Sequence, residues 1–325
     1  MKLTVCQDSK TVVEPSKKPN AEKGFSVFRV KACGICGSDI PRVFSGASYY
    51  YPIVLGHEFS GIVEDSTDPD LVGKRACVFP ILPCRKCEFC AREEWANCVK
   101  YDYYGSRRDG GMQDYLLVDE RNLIFLPDNV SYEAGSMIEP TAVCLHALKK
   151  ANITGDSGVT VYGAGTIGLL CAMWAKAFGA KKVCLFDVDE ERMHFAASLG
   201  FESSGEECPD VVIEASGASA ALNAGIEKIK AFGRIVIVGN ASRDMTINKA
   251  NYSRILRKQL TVFGSWNSDF RKDANEWKES VEAIANGVID PEKLITHKID
   301  LKNGEFAFDM IKERNEFYNK ITVVM

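Results

Sequence analysis

Cys84, Cys87, Cys90 and Cys98 form a Cys-x2-Cys-x2-Cys-x7-Cys ladder inside a stretch rich in Pro, Lys and Arg. Two-residue spacing lets neighbouring thiolates converge on one tetrahedral ion, with metal–sulfur distances of ~2.3 Å. Four thiolates leave no open coordination position, so such a site clamps a loop and does no chemistry. An iron–sulfur cluster is the rival occupant, because cysteines at this spacing also serve ferredoxin-type sites. Four unliganded cysteines are the third reading, although clustered thiols have no packing reason to exist.

Three further fragments carry ligand types without a local ladder: Cys33-Gly34-Ile35-Cys36-Gly37-Ser38-Asp39, Gly56-His57-Glu58 and Ile138-Glu139-Pro140. Each has a plain reading. Cys33 and Cys36 could be a redox pair, but no thioredoxin-like βαβ pattern surrounds them. His57 alone reads as a hydrogen-bonded structural residue, and Glu139 as a carboxylate favoured at a helix N-terminus. Together they supply a mixed S/N/O set, the pattern of a catalytic zinc with one exchangeable position. Such a metal lowers the pKa of a bound hydroxyl and polarises a carbonyl oxygen. Without a hydride carrier the same site would serve a hydrolase.

The carrier signal lies further along. A short apolar run, Val159-Thr160-Val161-Tyr162, leads into Gly163-Ala164-Gly165-Thr166-Ile167-Gly168 and then a helix-like pattern. In that setting the glycines allow a tight turn and close backbone approach, and the helix N-terminus meets a pyrophosphate. The next strand-like run, 183–186, ends in Asp187, where a carboxylate should bind the adenosine ribose hydroxyls and repel a 2′-phosphate. That favours NAD over NADP. The plain reading is a glycine turn in an ordinary α/β sheet with a surface Asp.

These residues need elements to hold them. Apolar stretches at 25–32, 59–63, 75–79, 112–118 and 123–126, punctuated by Gly, Pro and Asp, predict an irregular β domain. From about 141 the texture changes. Strands are expected at 159–162, 183–186, 211–214, 234–238 and 262–263, and helices at 168–179, 190–199, 220–230 and 274–286. Strand alternating with helix predicts a parallel sheet with right-handed crossovers. The 325 residues fit about two domains at ~100–200 residues each. A net charge of −4 gives no basic footprint for nucleic acid. No apolar run reaches the ~18 residues of a membrane span, and Met1 to Asp8 lacks a signal-peptide core. A cytoplasmic protein is expected. Its twelve cysteines are then reduced, with Cys6, Cys77, Cys171, Cys184 and Cys208 read as small buried apolar residues.

With these motifs in order, the chain resembles the zinc-dependent medium-chain dehydrogenases over essentially its whole length, and within them the polyol dehydrogenase branch. Residues 37–44 (GSDIPRVF), 50–61 (YYPIVLGHEFSG), 100–111 (KYDYYGSRRDGG) and 255–266 (ILRKQLTVFGSW) carry the likeness to members acting on polyol phosphates. The resemblance implies a GroES-like catalytic domain from residues 1–140 and 266–325, and a Rossmann NAD-binding domain from 141–265. It implies two zinc ions per chain, an active cleft between the domains, and a homodimer or homotetramer. Cys36, His57 and Glu139 match catalytic zinc positions, and Glu58 a ligand or near-ligand. Cys84, Cys87, Cys90 and Cys98 match the structural lobe. Gly163, Gly165, Thr166, Ile167 and Gly168 match the cofactor loop, Asp187 the ribose acid, and Arg192 a basic residue flanking the adenosine. Two departures stand out. Segment 200–210 is short, which predicts a missing Rossmann crossover helix and weakened cofactor affinity, and 64–73 is trimmed.

The implied reaction oxidises a secondary alcohol to a ketone, with hydride passing to NAD and Ser38 in the proton relay. Ser38 as a cap of the following helix is the plain alternative. Pro41-Arg42 occupies the place where many alcohol dehydrogenases carry a relay His. Arg42, Arg107 and Arg108 are candidate phosphate contacts, against ordinary surface arginines. Tyr50 and Trp266 are candidate pocket walls, against core aromatics. No role is expected for His146, His194 or His297. A threonine-, butanediol- or sorbitol-type dehydrogenase is the nearest alternative. A non-catalytic zinc- and NAD-binding protein, such as a crystallin or redox sensor, is the alternative from another class.

Overall fold

A computed structural model describes the chain except for Ser9, Glu202 and residues 204–207. The described chain divides into two compact units, residues 1–139 with 269–325, and residues 140–268.

The first unit is built on a seven-stranded sheet. Along it run Leu123–Phe125, Arg75–Val78, Glu58–Asp65, Phe25–Gly34, Lys320–Val324 and Ile295–Asp300, with Tyr115–Asp119 pairing off this path to Phe25–Gly34. The ten-residue Phe25–Gly34 is the axis of the sheet. Its inward residues Phe28, Val30 and Cys33 join Leu3, Phe59, Val78, Phe308 and Val323 in one apolar core. Burying such side chains removes about 1.5–3 kcal/mol each from the cost of ordering the chain. A three-stranded sheet (Thr11–Glu14, Lys2–Val5, Ile53–Val54) and a two-stranded ribbon (Ile81–Leu82, Asp102–Tyr103) complete it. The strand pairing Lys320–Val324 beside Phe25–Gly34 brings the far end of the chain against the Cys33–Cys36 motif.

The second unit is a parallel sheet in the order Lys182–Phe186, Gly158–Tyr162, Val211–Glu214, Arg234–Ile237, Thr261–Gly264. The order reverses beside Gly158–Tyr162, which puts the switch point, where ligands of such sheets bind, between Tyr162 and Glu214. Helices Thr166–Ala177, Glu190–Ser198, Ser219–Lys228 and Lys249–Arg257 connect the strands. No helix or strand lies between Ser198 and Val211 among the described residues. The expected loss of a crossover helix falls partly on Glu202 and 204–207, which lie outside the described residues.

The strands and helices expected from periodicity appear with ends shifted by a few residues. The helix Ile138–Ala151 starts where the Glu139 reading put a helix N-terminus, with Pro140 in its first turn, where a missing N–H costs nothing. No helix is long and apolar enough to cross a membrane among the described residues. All twelve cysteines are free. Cys77, Cys171 and Cys184 are buried as expected, but Cys6 is half-buried and Cys208 exposed. Cys208 precedes Pro209 in the approach to a strand, on no packed face, which corrects its reading as a core residue.

Candidate active site

The four ladder cysteines converge. Sγ–Sγ distances are 3.8 Å for Cys84–Cys90, 3.5 Å for Cys87–Cys90 and 3.9 Å for Cys87–Cys98. A tetrahedron with ~2.3 Å metal–sulfur bonds has edges of about 3.8 Å. Backbone N–H groups point at the sulfurs: Cys84 donates to Cys98 Sγ at 3.2 Å. The N–H groups of Cys90 and Val99 bring the Cys87 thiol down to about 6, into thiolate form near neutral pH. Donor type and edge length fit a closed tetrathiolate zinc, whose charge would offset the burial that pushes the Cys90 thiol up to about 12.

The second cluster forms at one end of the large sheet. Cys36 lies two residues past strand Phe25–Gly34, His57 just before strand Glu58–Asp65, and Glu58 opens that strand. One ligand atom from each of Cys36, His57 and Glu58 lies within 4.8 Å of the others. Gly56 makes the approach: its φ of 97° is left-handed, and a Cβ there would stand 2.4 Å from Cys33 Sγ. Glu139 is buried in the first turn of helix Ile138–Ala151.

The electrostatics of this cluster call for a cation. Burial, reinforced by Glu58 and Asp39, pushes the Cys36 thiol up. Burial first, with Glu58 and Asp39 adding, pushes Glu139 up to about 7 despite His57 and Lys320. His57 Nδ1 is buried with no hydrogen-bond partner. Acidic side chains whose ionisation burial disfavours, set beside a buried imidazole, fit a position where a zinc ion would let them ionise, with sulfur, nitrogen and oxygen donors.

Two side chains that the motifs left without a role surround this set. Asp39 is fully buried and accepts the Cys36 N–H at 3.0 Å, while its Oδ1 lies 3.7 Å from His57 Nδ1. It is placed to orient the imidazole, as carboxylates beside metal-ligating histidines do. Lys320, buried in the last strand, ion-pairs with Glu58 Oε2 and donates to Ile35 O at 3.0 Å. Asp39 could have been found from its place in the Cys-Gly-x-Cys-Gly-Ser-Asp run. Lys320 sits in an ordinary strand pattern, Lys-Ile-Thr-Val-Val, with no local sign of its partner.

Ser38 is not a cap. Asp39 takes the N-cap position of helix Ile40–Phe44 and makes no side-chain cap bond. Ser38 Oγ and carbonyl O instead accept from Arg42 Nη1, whose guanidinium also reaches Asp39 at 3.4 Å. Arg42 is thereby tied inward. Arg107 stands differently, its guanidinium over the rings of Tyr49 and Tyr101 at 4.6 and 4.2 Å, and donating to Tyr49 Oη at 3.1 Å. From Tyr101 the rings continue to Tyr103 and His57, with centroids 6.2 and 5.6 Å apart. Arg108 lies 3.4 Å from Asp102, and Tyr50 Oη donates to Asp109 at 3.3 Å. Trp266 belongs to the second unit and is 61% exposed.

In the second unit, Gly163 has φ 103°, and a Cβ on Gly168 would stand 1.8 Å from Gly163 O, so the first helical turn packs directly on the loop. Gly165 is the N-cap of helix Thr166–Ala177, whose first turn holds Thr166 and Ile167. Asp187 Oδ2 accepts the Ala164 N–H at 2.7 Å, and Arg192 Nη1 lies 3.6 Å from the same oxygen. Beside them opens an apolar cleft of about 300 Å³, walled by Tyr162, Phe186, Val188 and the alanines of helix Ser219–Lys228. A flat apolar slot ending on a carboxylate suits an adenosine.

A family model described as the alcohol dehydrogenase GroES-like domain matches residues 23–128, and one described as zinc-binding dehydrogenase matches residues 166–286. The chain is similar to galactitol 1-phosphate 5-dehydrogenase of Escherichia coli K12, 35% identical over 290 residues, 83% of this chain and 84% of the relative. It is similar to sorbitol dehydrogenase of Bombyx mori, 31% identical over 327 residues, 92% of each. Among solved structures, galactitol-1-phosphate dehydrogenase from Escherichia coli superposes with a TM-score of 0.92 at 31% identity, covering 100% of both chains.

Proposed function

The chain belongs to the zinc-dependent medium-chain dehydrogenases, among their polyol and sugar-alcohol enzymes, and we propose that it oxidises a secondary hydroxyl of a polyol or polyol phosphate to the ketose with NAD. The observation that carries this reading is the convergence of Cys36, His57 and Glu58 within 4.8 Å. An open zinc position of this kind is not needed by a non-catalytic zinc- and NAD-binding protein such as a crystallin or redox sensor.

Cys36 and His57 would hold the catalytic zinc, completed by Glu58, the carboxylate within 4.8 Å of both, or by Glu139, which lies outside that set; Cys84, Cys87, Cys90 and Cys98 would hold the structural one. A zinc ion bound at the first site would supply Lewis-acid polarisation of the reacting oxygen. Asp39 orients His57, and Lys320 fixes Glu58 Oε2 and offsets part of the surplus negative charge. Ser38 Oγ, which accepts from Arg42 Nη1 at 3.2 Å, would receive the substrate proton. Gly163 to Gly168 would receive the pyrophosphate, and Asp187 the adenosine ribose, excluding a 2′-phosphate. Arg192 flanks that ribose.

For the substrate, Arg107 is the favoured phosphate contact. Its guanidinium is pre-ordered between two tyrosines on the aromatic path that starts at His57, donating to Tyr101 O and Tyr49 Oη and paired with no carboxylate among the described residues, whereas Arg42 reaches Asp39 and Arg108 lies against Asp102. Tyr50 remains a candidate wall of the substrate pocket. A homodimer or homotetramer in the cytoplasm completes the reading, a setting in which free cysteines stay reduced. The test is NAD reduction on matched pairs: galactitol and galactitol 1-phosphate, ribitol and ribitol 5-phosphate, with sorbitol and threonine alongside. Preference for the phosphorylated member supports Arg107 as its contact. Preference for sorbitol makes this a sorbitol-type enzyme, preference for threonine a threonine-type one, and no turnover of any contradicts the proposal.

A further inference from the structure

Glu214 is fully buried at the C-terminal end of strand Val211–Glu214, beside the switch point of the parallel sheet. One carboxylate oxygen, Oε1, accepts three hydrogen bonds: from Ser216 N at 2.9 Å, Ser216 Oγ at 2.6 Å and Gly217 N at 2.9 Å. The other, Oε2, is buried without a partner. A buried acceptor in this state is costly, so its retention asks for a reason.

The surroundings supply one. Three loops meet here at glycines. A Cβ on Gly163 would stand 3.0 Å from Ser216 N, one on Gly217 would stand 2.4 Å from Asn240 O, and one on Gly239 would stand 2.2 Å from Gly217 N and 2.9 Å from Glu214 Oε2. The backbone repeats the pattern: Gly239 N donates to Glu214 O at 2.9 Å, and Ala215 N to Tyr162 O at 2.8 Å. Ser216 and Ala218, in the loop that Oε1 holds, also wall the apolar cleft beside Asp187.

We infer that Glu214 is a positioning residue for the dinucleotide: its Oε1 fixes the Ser216–Gly217 turn, which the glycines at 163, 217 and 239 let pack against the neighbouring loops, and so presets the crevice that the cofactor enters. This rests on the dinucleotide reading given above. An amide oxygen is a weaker acceptor for these three donors than a carboxylate oxygen. Preset loops raise affinity by removing the ordering cost from the binding step.

The experiment is NADH titration by fluorescence, with zinc content and hydrogen exchange of the 215–218 peptide measured on the same samples of full-length protein. Glu214→Gln is expected to raise the NADH Kd about tenfold, to speed exchange of that peptide, and to leave zinc content and kcat at saturating NAD within twofold of the parent. A folded Glu214→Gln protein with parental Kd and exchange overturns the inference. If Glu214→Gln does not fold, the parent chain decides. Protected Ser216 and Gly217 amides support the inference, and exchange at open-loop rates overturns it. Failure of the parent chain to bind NADH at all would instead sink the dinucleotide reading.

Discussion

The Lys320 ammonium and the Glu58 carboxylate meet across a residue that has no side chain. Gly34 pairs with Glu58 on one side and with Thr322, two residues beyond Lys320, on the other. A Cβ at Gly34 would stand 2.3 Å from Glu58 Oε2 and 2.8 Å from Lys320 Cε. The gap in strand Phe25–Gly34 is therefore what lets two buried charges from distant parts of the chain neutralise each other next to the Cys36–His57 pair.

Removing one partner leaves the other charged and buried. Lys320→Met is expected to destabilise the protein by about 3–5 kcal/mol, read as a shift in the denaturant midpoint. Lys320→Met combined with Glu58→Gln should recover most of that loss. Lys320→Arg should keep zinc in the site better than Lys320→Met, measured by competition with a chelator.

Gly34→Ala tests the same arrangement without touching either charge. The methyl has no room between Glu58 and Lys320, so the variant should lose stability by about 1–3 kcal/mol and bind less than two zinc ions. An unchanged melting temperature would show that the pair is loosely held.

The two cysteine clusters should separate by metal analysis. Cys36→Ser is expected to abolish turnover and retain the structural zinc with little loss of stability. Cys87→Ser should lose the metal of the ladder and unfold at lower denaturant concentration, because a closed tetrathiolate site contributes to folding. Loss of both ions from either variant would mean that the clusters are not independent.

Asp187→Ala should weaken NAD binding about ten- to a hundredfold, since a charged acceptor of ribose hydroxyls is lost. With the carboxylate gone, Arg192 Nη1, now 3.6 Å from it, is released toward a 2′-phosphate. Discrimination against NADP should fall accordingly, as read from the ratio of kcat/KM for the two cofactors. Unchanged preference would remove Asp187 from the ribose role.

Much of this was legible in the sequence because it is written locally. The Cys ladder, the strand–glycine loop–helix unit and the alternating strands and helices each depend on spacing within a few dozen residues. What stayed hidden is long-range. Lys320 is separated from Glu58 by 262 positions and lies in a strand whose pattern reads as plain core. The Glu214 hub depends on three loops that only the parallel sheet brings together. Ser38 and Arg42 lie four residues apart, yet their hydrogen bond was not legible, because Ser38 could equally have capped the helix and Arg42 could have faced a ligand.

The most direct test of the zinc-dependent dehydrogenase account is NADH formation from polyols and their phosphates by the parent chain and by Cys36→Ser, with zinc counted in both. The account predicts turnover by a parent chain holding two zinc ions, and none by a folded variant that keeps one. Undiminished turnover by Cys36→Ser, or none by a parent chain carrying both ions, would contradict it.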